Sequence, residues 1–166
     1  MSAELNFLRQ QGLEEASQHT CAYQYPAMML QPRAIGILVL IGLILQSWIY
    51  FLVLCGLVWF SAGFPALNPF DALYNRLVAK RKGLPRMGPA RPPRRFAQGM
   101  AGSFMFAIAL ALYARWLVLA YVLEVFLVVA IAALVFGRFC LGSYTFYLMT
   151  GRSRFANDTL PWASKR

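Results

Sequence analysis

Residues 68–98, NPFDALYNRLVAKRKGLPRMGPARPPRRFAQ, carry Arg76, Lys80, Arg81, Lys82, Arg86, Arg91, Arg94 and Arg95 against one acid, Asp71. That is half of the 16 Lys and Arg in the chain. On either side lie long apolar runs with almost no charge. A basic polar segment between two such runs cannot sit in hydrocarbon, and its charge decides which side of a membrane it faces. The pattern specifies an all-α integral membrane protein.

Within this stretch, residues 69–83 follow a helical plan. Asn68 suits an N-cap, Pro69 the first turn, and Asp71 places negative charge at the positive end of the helix dipole. Phe70, Leu73, Tyr74, Leu77 and Val78 recur at helical spacing. Lys80, Arg81 and Lys82 crowd the last turn, and Gly83 supplies a left-handed stop. The expected element is an amphipathic helix in a central cytoplasmic loop. It lies in the membrane interface, with Arg76, Lys80, Arg81 and Lys82 binding anionic lipid headgroups. A soluble helix packed on a core is the alternative, but no soluble core is evident. From 83 to 93, Gly and Pro alternate with isolated Arg, as in an extended connector.

Toward the N-terminus, residues 34–67 contain no charged side chain. One upright span takes about 20 residues, because a rise of roughly 1.5 Å per residue must cross about 30 Å. The run is too long for one such helix and somewhat short for two. Gln46 and Ser47, followed by Trp48 and Tyr50, have the makings of a tight turn at a membrane surface. Two short spans, about 32–46 and 48–63, are one reading; a single long, tilted helix is the other. Residues 1–31 form a polar N-terminal tail without the basic start and early apolar run of a cleavable signal peptide. A short helix over 3–11 is expected there, ended by Gly12, and Pro26 and Pro32 should break the chain before the first span.

The second half repeats the arrangement. From 97 to 149 the apolar character is interrupted only by Arg115, Glu124 and Arg138. Tyr113, Arg115, Trp116 and Tyr121 mark a second turn, giving spans of about 97–114 and 117–136. Gly99, Gly102, Ser103, Ala107 and Ala111 keep the third span slim enough for close helix approach. Residues 141–149 are too few to cross and read as an interfacial end, and 151–166 form a polar C-terminal tail. The expected fold is a four-helix membrane domain over 32–150, built as two hairpins around the basic loop 68–98. Both termini and the loop then share one side, with every Lys and Arg except Arg115. The positive-inside rule makes that side the cytoplasm. With 34–67 as one helix, Arg9 and Arg33 would move outside.

The chain is 60% hydrophobic and 13% charged, well above the apolar share of ordinary globular proteins. Its net charge of +10 could point to nucleic acid. The positives, however, flank apolar runs and no nucleic-acid motif accompanies them, so the partner they imply is the lipid bilayer. Three cysteines, Cys21, Cys55 and Cys140, are too few and too scattered for a disulfide framework. His19 and Cys21 make only a lone pair of potential ligands, and no metal site is expected. No Ser-His-acid set or phosphate loop is present, and no cofactor is implied.

Two residues stand out chemically. Glu124 lies within the fourth span, where an ionisable group is costly and a functional candidate by default. It could equally snorkel to the surface or pair with Arg115. Cys140 lies near the cytoplasmic boundary, two residues from Arg138, whose charge would favour a thiolate. It could equally fill a helix end as a small apolar residue.

Pro93-Arg94-Arg95-Phe96-Ala97-Gln98 and Gly137-Arg138-Phe139-Cys140-Leu141-Gly142-Ser143 resemble a family of small bacterial membrane proteins catalogued as domain of unknown function 4395. The resemblance covers roughly residues 32–147. It implies four spans, a Pro-rich approach to a Phe-Ala-Gln start of the third, a Gly-x-Cys-Leu-Gly-Cys-like end, and residence in a bacterial inner membrane. Ser143 replaces the second cysteine of that motif, and one thiol cannot cycle to a disulfide without a partner. Cys21, if its tail reaches back, is the candidate replacement. The leading functional expectation is a non-enzymatic scaffold or accessory subunit, partnered by another membrane protein or by its own copies. A thiol or sulfur-handling protein using Cys140 is the alternative, and a small transporter using Glu124 a weaker one.

Overall fold

A computed structural model describes residues 3–163, apart from the side chains of residues 18 and 20. Lys165 and Arg166, at the end of the polar C-terminal tail, lie outside the described residues. Among those described there is no strand. In chain order the α-helices are α1 (Ala3–Gln10), α2 (Gln18–Leu45), α3 (Trp48–Gly63), α4 (Pro69–Tyr74), α5 (Lys80–Lys82), α6 (Pro92–Tyr113), α7 (Leu117–Val135), α8 (Leu141–Met149) and α9 (Ser153–Asp158).

Residues 34–67 do not form one helix, because α2 stops at Leu45 and α3 starts at Trp48. Gln46 takes the left-handed conformation (φ 46°) and its Nε2 donates to Leu43 O at 2.8 Å, closing α2. Ser47 caps α3 by accepting from Tyr50 N. The chain then turns back on itself: Tyr50 Oη donates to Leu38 O at 2.9 Å, and Gly42 lies against the rings of Tyr50 and Phe51. Arg115 (φ 60°) ends α6 in the same way, with Trp116 N donating to Ala111 O and Arg115 N to Leu112 O.

The long helices pack antiparallel. Along α3 and α6, Trp48 meets Tyr113, the Trp59 indole fills the space over Gly102, and Arg95 Nε donates to Ala62 O at 2.8 Å. Along α2 and α7, Gln46 meets Glu124 and Gly36 lies against Ile131. Phe51, Leu54, Val58, Met105, Ile108 and Leu127 form the shared core. The outward faces are also apolar. In α7 only Ala120, Glu124 and Leu127 are buried, while Val118, Val122, Val125, Phe126 and Val129 are exposed.

Among the described residues, three helices are long and apolar enough to cross a membrane: Cys21–Leu45, Pro92–Tyr113 and Leu117–Val135. A fourth is counted if Trp48–Gly63 and Pro65–Lys82, bent by 117°, make one span.

The break expected at Pro26 and Pro32 does not occur: α2 runs through both. An internal proline loses one backbone bond and pushes away the carbonyl a turn earlier. Three residues before Pro26, Tyr74 Oη donates to Tyr23 O at 3.3 Å and ties the loop helix to α2. Four of the five residues between the prolines, Ala27, Met28, Met29 and Gln31, are buried, so tertiary packing holds the helix.

In the central loop Asn68 accepts from Phe70 N at 3.0 Å and starts α4 at Pro69. A π-turn segment, Asn75–Ala79, links α4 to α5, and Gly83 ends the run at φ 62°. Asn75 pins the returning chain through both atoms of its amide, to Met87 N at 2.7 Å and Met87 O at 3.1 Å. Tyr74 and Ala79 face the protein; Leu73 and Leu77 are exposed.

The two terminal segments pack together at the end of the bundle that holds the loop. Asn6 Nδ2 donates to Leu160 O and Ala163 O, Arg152 pairs with Glu14, and Arg91 Nη1 donates to Gly12 O. Phe7 and Leu8 are buried against Met28, Met29 and Cys140.

Candidate functional site

At the loop end of the bundle α2, α6, α7 and the start of α8 do not close completely. They leave a cavity of about 180 Å³. Most of its wall is apolar: Ile35, Ala101, Phe104, Ile131 and Leu134 contribute, with Phe126 and Leu141 exposed at its rim. Apolar cavities of roughly 150 Å³ accept a benzene-sized guest and otherwise stay dry. The cavity also has a polar end, formed by Gln11, Gln31, Arg94 and Gln98.

That polar end is built from three distant segments. The Arg94 guanidinium grips Asp71 with both terminal nitrogens, Nη2 to Oδ1 at 2.7 Å and Nη1 to Oδ2 at 3.0 Å. Both side chains are more than nine-tenths buried. Gln31 Oε1 accepts from Arg94 Nη2 (2.9 Å), Gln98 Nε2 (2.8 Å) and Asn68 Nδ2 (3.1 Å). The charges cancel in place, and a buried pair with these extra hydrogen bonds is the arrangement that tolerates desolvation. Two enclosed amide atoms of these residues, Gln98 Oε1 and Gln11 Nε2, have no hydrogen-bond partner. A buried polar atom without a partner is costly to the fold.

Cys140 lies on the cavity wall, 6% exposed. Its N–H donates to Gln10 Oε1 at 2.8 Å, and its Sγ is 3.4 Å from Ser143 Oγ, which is also 3.3 Å from Pro93 O. Gly142 presses so closely on Ala97 that a Cβ there would collide with it, which seats α8 on α6. Arg138 turns toward Glu4 (3.3 Å) and the ring of Tyr25. Cys21 shares a buried cluster with Cys140, but both thiols are free.

Glu124 is 2% exposed at the opposite end of the bundle. Both of its oxygens accept from Gln46 Nε2, at 3.2 and 3.1 Å. The expected alternatives, snorkelling or pairing with Arg115, are not adopted: a neutral amide on the neighbouring turn reaches the carboxyl while Arg115 points outward, exposed. Arg76, Lys80, Arg81 and Lys82 are exposed on the loop helix and do not line the cavity.

Among these residues, sequence reasoning reached Cys140 but missed Gln11, Gln31 and Gln98. It read Asp71 as a dipole complement and Arg94 as part of a basic flank. The available signal was a lone acid within a basic stretch, together with glutamines bordering apolar runs.

Residues 28–150 match a family described as a domain of unknown function, DUF4395. No curated protein and no solved structure matches the chain.

Proposed function

Since the chain belongs to the DUF4395 family, a membership that brings no activity with it, we propose a role from its own geometry: a four-span membrane protein that holds a lipid-like molecule in the cavity beside Cys140. The observation that carries this reading is a largely apolar cavity with a rim on the outward apolar surface. Lipid tails would enter sideways and need not cross water.

The spans are α2, α3, α6 and α7, arranged as two hairpins. α3 has 16 residues, roughly 24 Å, a short span whose continuation bends away by 117°. That bend suits a loop helix lying along the surface, its exposed Leu73 and Leu77 toward lipid tails and Arg76, Lys80, Arg81 and Lys82 toward anionic headgroups. The basic end is cytoplasmic by the positive-inside rule, with both termini there, in a bacterial inner membrane. The protein is a non-enzymatic accessory subunit, its ligand part of its structure or its message to a partner.

A photoactivatable alkyl probe in vesicles tests the cavity. It should label peptides carrying Phe104 and Leu134, and Ala101→Leu should reduce that labelling at least several-fold. Labelling confined to outward residues such as Val118 and Val125, indifferent to Ala101→Leu, would remove the reading.

A second reading, thiol chemistry at Cys140, is favoured by one observation: Cys140 lines the same cavity, with the buried Ser143 Oγ 3.4 Å from its Sγ. If Cys140→Ala preserves function in a growth or assembly assay, the thiol is structural. If both Cys140→Ala and Cys140→Ser abolish function while insertion persists, the thiol reading leads.

A further inference from the structure

The wall of the cavity at its loop end is not made by the spans alone. Phe7 and Gln11, from the N-terminal segment, line it together with Cys140. Phe7 and Leu8 of α1 are buried in the cluster that holds Cys140, and Gln10 Oε1 accepts from the Cys140 N–H at 2.8 Å. The element over Cys140 is thus a separate helix of 8 residues, and residues 15–17, which belong to no helix, connect its turn to α2. A helix that short does not hold itself, so its place depends on its contacts.

Those contacts are of mixed quality. Asn6 Nδ2 donates to Leu160 O and Ala163 O, which fixes its amide and leaves Oδ1 enclosed without a donor. Gln10 must present its oxygen to the Cys140 N–H, so its Nε2 is enclosed without an acceptor. Docked, the segment carries two unsatisfied amide atoms that water satisfies once it lifts. Arg91 Nη1 adds a hydrogen bond to Gly12 O. The outer ties are ion pairs, Glu4 to Arg138 at 3.3 Å and Glu14 to Arg152 at 2.7 Å, with all four side chains well exposed. Pairs of that kind are weak and give way to salt.

We propose that residues 3–14 form a hinged cap over the loop end of the cavity. Latched by Glu4–Arg138 and Glu14–Arg152, the cap turns on residues 15–17. When it lifts, it takes Phe7 and Gln11 out of the wall and opens Cys140 to water. The rim at Phe126 already meets the outward apolar surface, so the lifted cap gives the cavity a second mouth. A guest that enters from lipid then has an exit to water. The cap rests on the cavity and not on the nature of its guest.

The native cysteines test it, since all three are free and buried. The full chain in lipid nanodiscs is treated briefly with an anionic methanethiosulfonate, too polar to arrive through the bilayer. Peptide mass spectrometry reads each cysteine. Cys140 lies under the cap, while Cys55 lies in the core between the spans and reports general unfolding. Glu4→Gln combined with Glu14→Gln should speed labelling of Cys140 about fivefold, the scale of two exposed ion pairs lost, and leave Cys55 unchanged. Salt should do the same to the wild type, measured against a free thiol, and add little in the double variant. Phe7→Ala removes the apolar anchor without changing any charge near the thiol, and should speed Cys140 at least as much. Acceleration by the double variant but not by Phe7→Ala would trace to thiol acidity and overturns the cap, as does a Cys140 rate that no variant changes. A response to Phe7→Ala alone overturns the latches and keeps the cap. Acceleration of Cys55 along with Cys140 overturns local opening, because the whole bundle then loosens. The alkyl-probe experiment reads the guest separately: a cavity without lipid leaves these cysteine rates as they stand.

Discussion

Arg94 and Asp71, 23 residues apart, form a two-pronged ion pair at 2.7 and 3.0 Å with both side chains buried, and so tie the start of α6 to the loop helix. Gln31 of α2 joins the same cluster, so three segments depend on one charge pair. Asp71→Asn should therefore destabilise the protein strongly, by about 3–5 kcal/mol, because it strands a buried cation. Replacing both residues with apolar ones of similar volume should cost much less. Unfolding in mixed micelles measures both variants; a single variant no worse than the double would contradict the role given to the pair.

The proposed orientation predicts a labelling pattern. With the three buried native cysteines replaced, Ser47→Cys and Arg115→Cys should react with an impermeant thiol reagent added outside intact cells. Arg81→Cys should react only after the cells are opened. The opposite pattern would invert the topology and the cytoplasmic assignment of the basic loop.

Glu124 and Gln46 form a polar contact that a neutral side chain can satisfy. Glu124→Gln should change stability by no more than about 1 kcal/mol, whereas Gln46→Leu, which strips the carboxyl of its donor, should cost about 1–3 kcal/mol. Thermal unfolding in detergent distinguishes the two. If Glu124→Gln also abolishes a transport or growth phenotype while the fold is intact, a proton- or ion-carrying role at Glu124 replaces the structural one.

The terminal segments should show a weak acid sensitivity. The hydrogen bond from Arg152 holds the Glu14 carboxyl below its ordinary value, against a smaller opposing effect of burial. A depressed carboxyl value stabilises the folded form above the unfolded value and loses that effect as pH falls through the folded one. Amide exchange in residues 3–14 and 152–158 should therefore speed up as pH drops below about 4.5, after correction for intrinsic rates. Glu14→Gln should flatten that response. Its magnitude is small, because both side chains are nearly half exposed.

Helical class, the turn at Gln46 and Ser47, the cap at Asn68 and the stop at Gly83 were all legible in the sequence. Each depends on a few consecutive residues: hydropathy over a helix length, a capping amide, a glycine at positive φ. The continuity of α2 was not legible. Local rules assign Pro26 and Pro32 to a break, and only the packing of Met28, Met29 and Gln31 overrides them. The burial of α1 was also invisible, since Phe7 and Leu8 find their partners on α2 and beside Cys140.

By itself the sequence determined that the chain is a set of apolar helices with its positive charge gathered at the loop and the ends, because hydropathy and charge are properties of adjacent residues. Which polar residues meet was decided only by the tertiary structure. Gln11, Gln31, Asp71, Cys140 and the pair Arg94 and Gln98, one turn apart on α6, come from separate segments, and beyond that pair nothing in their spacing relates them. They converge because antiparallel helices must bury their narrow inner faces together, and wherever a polar side chain falls on such a face it must find a partner or a guest.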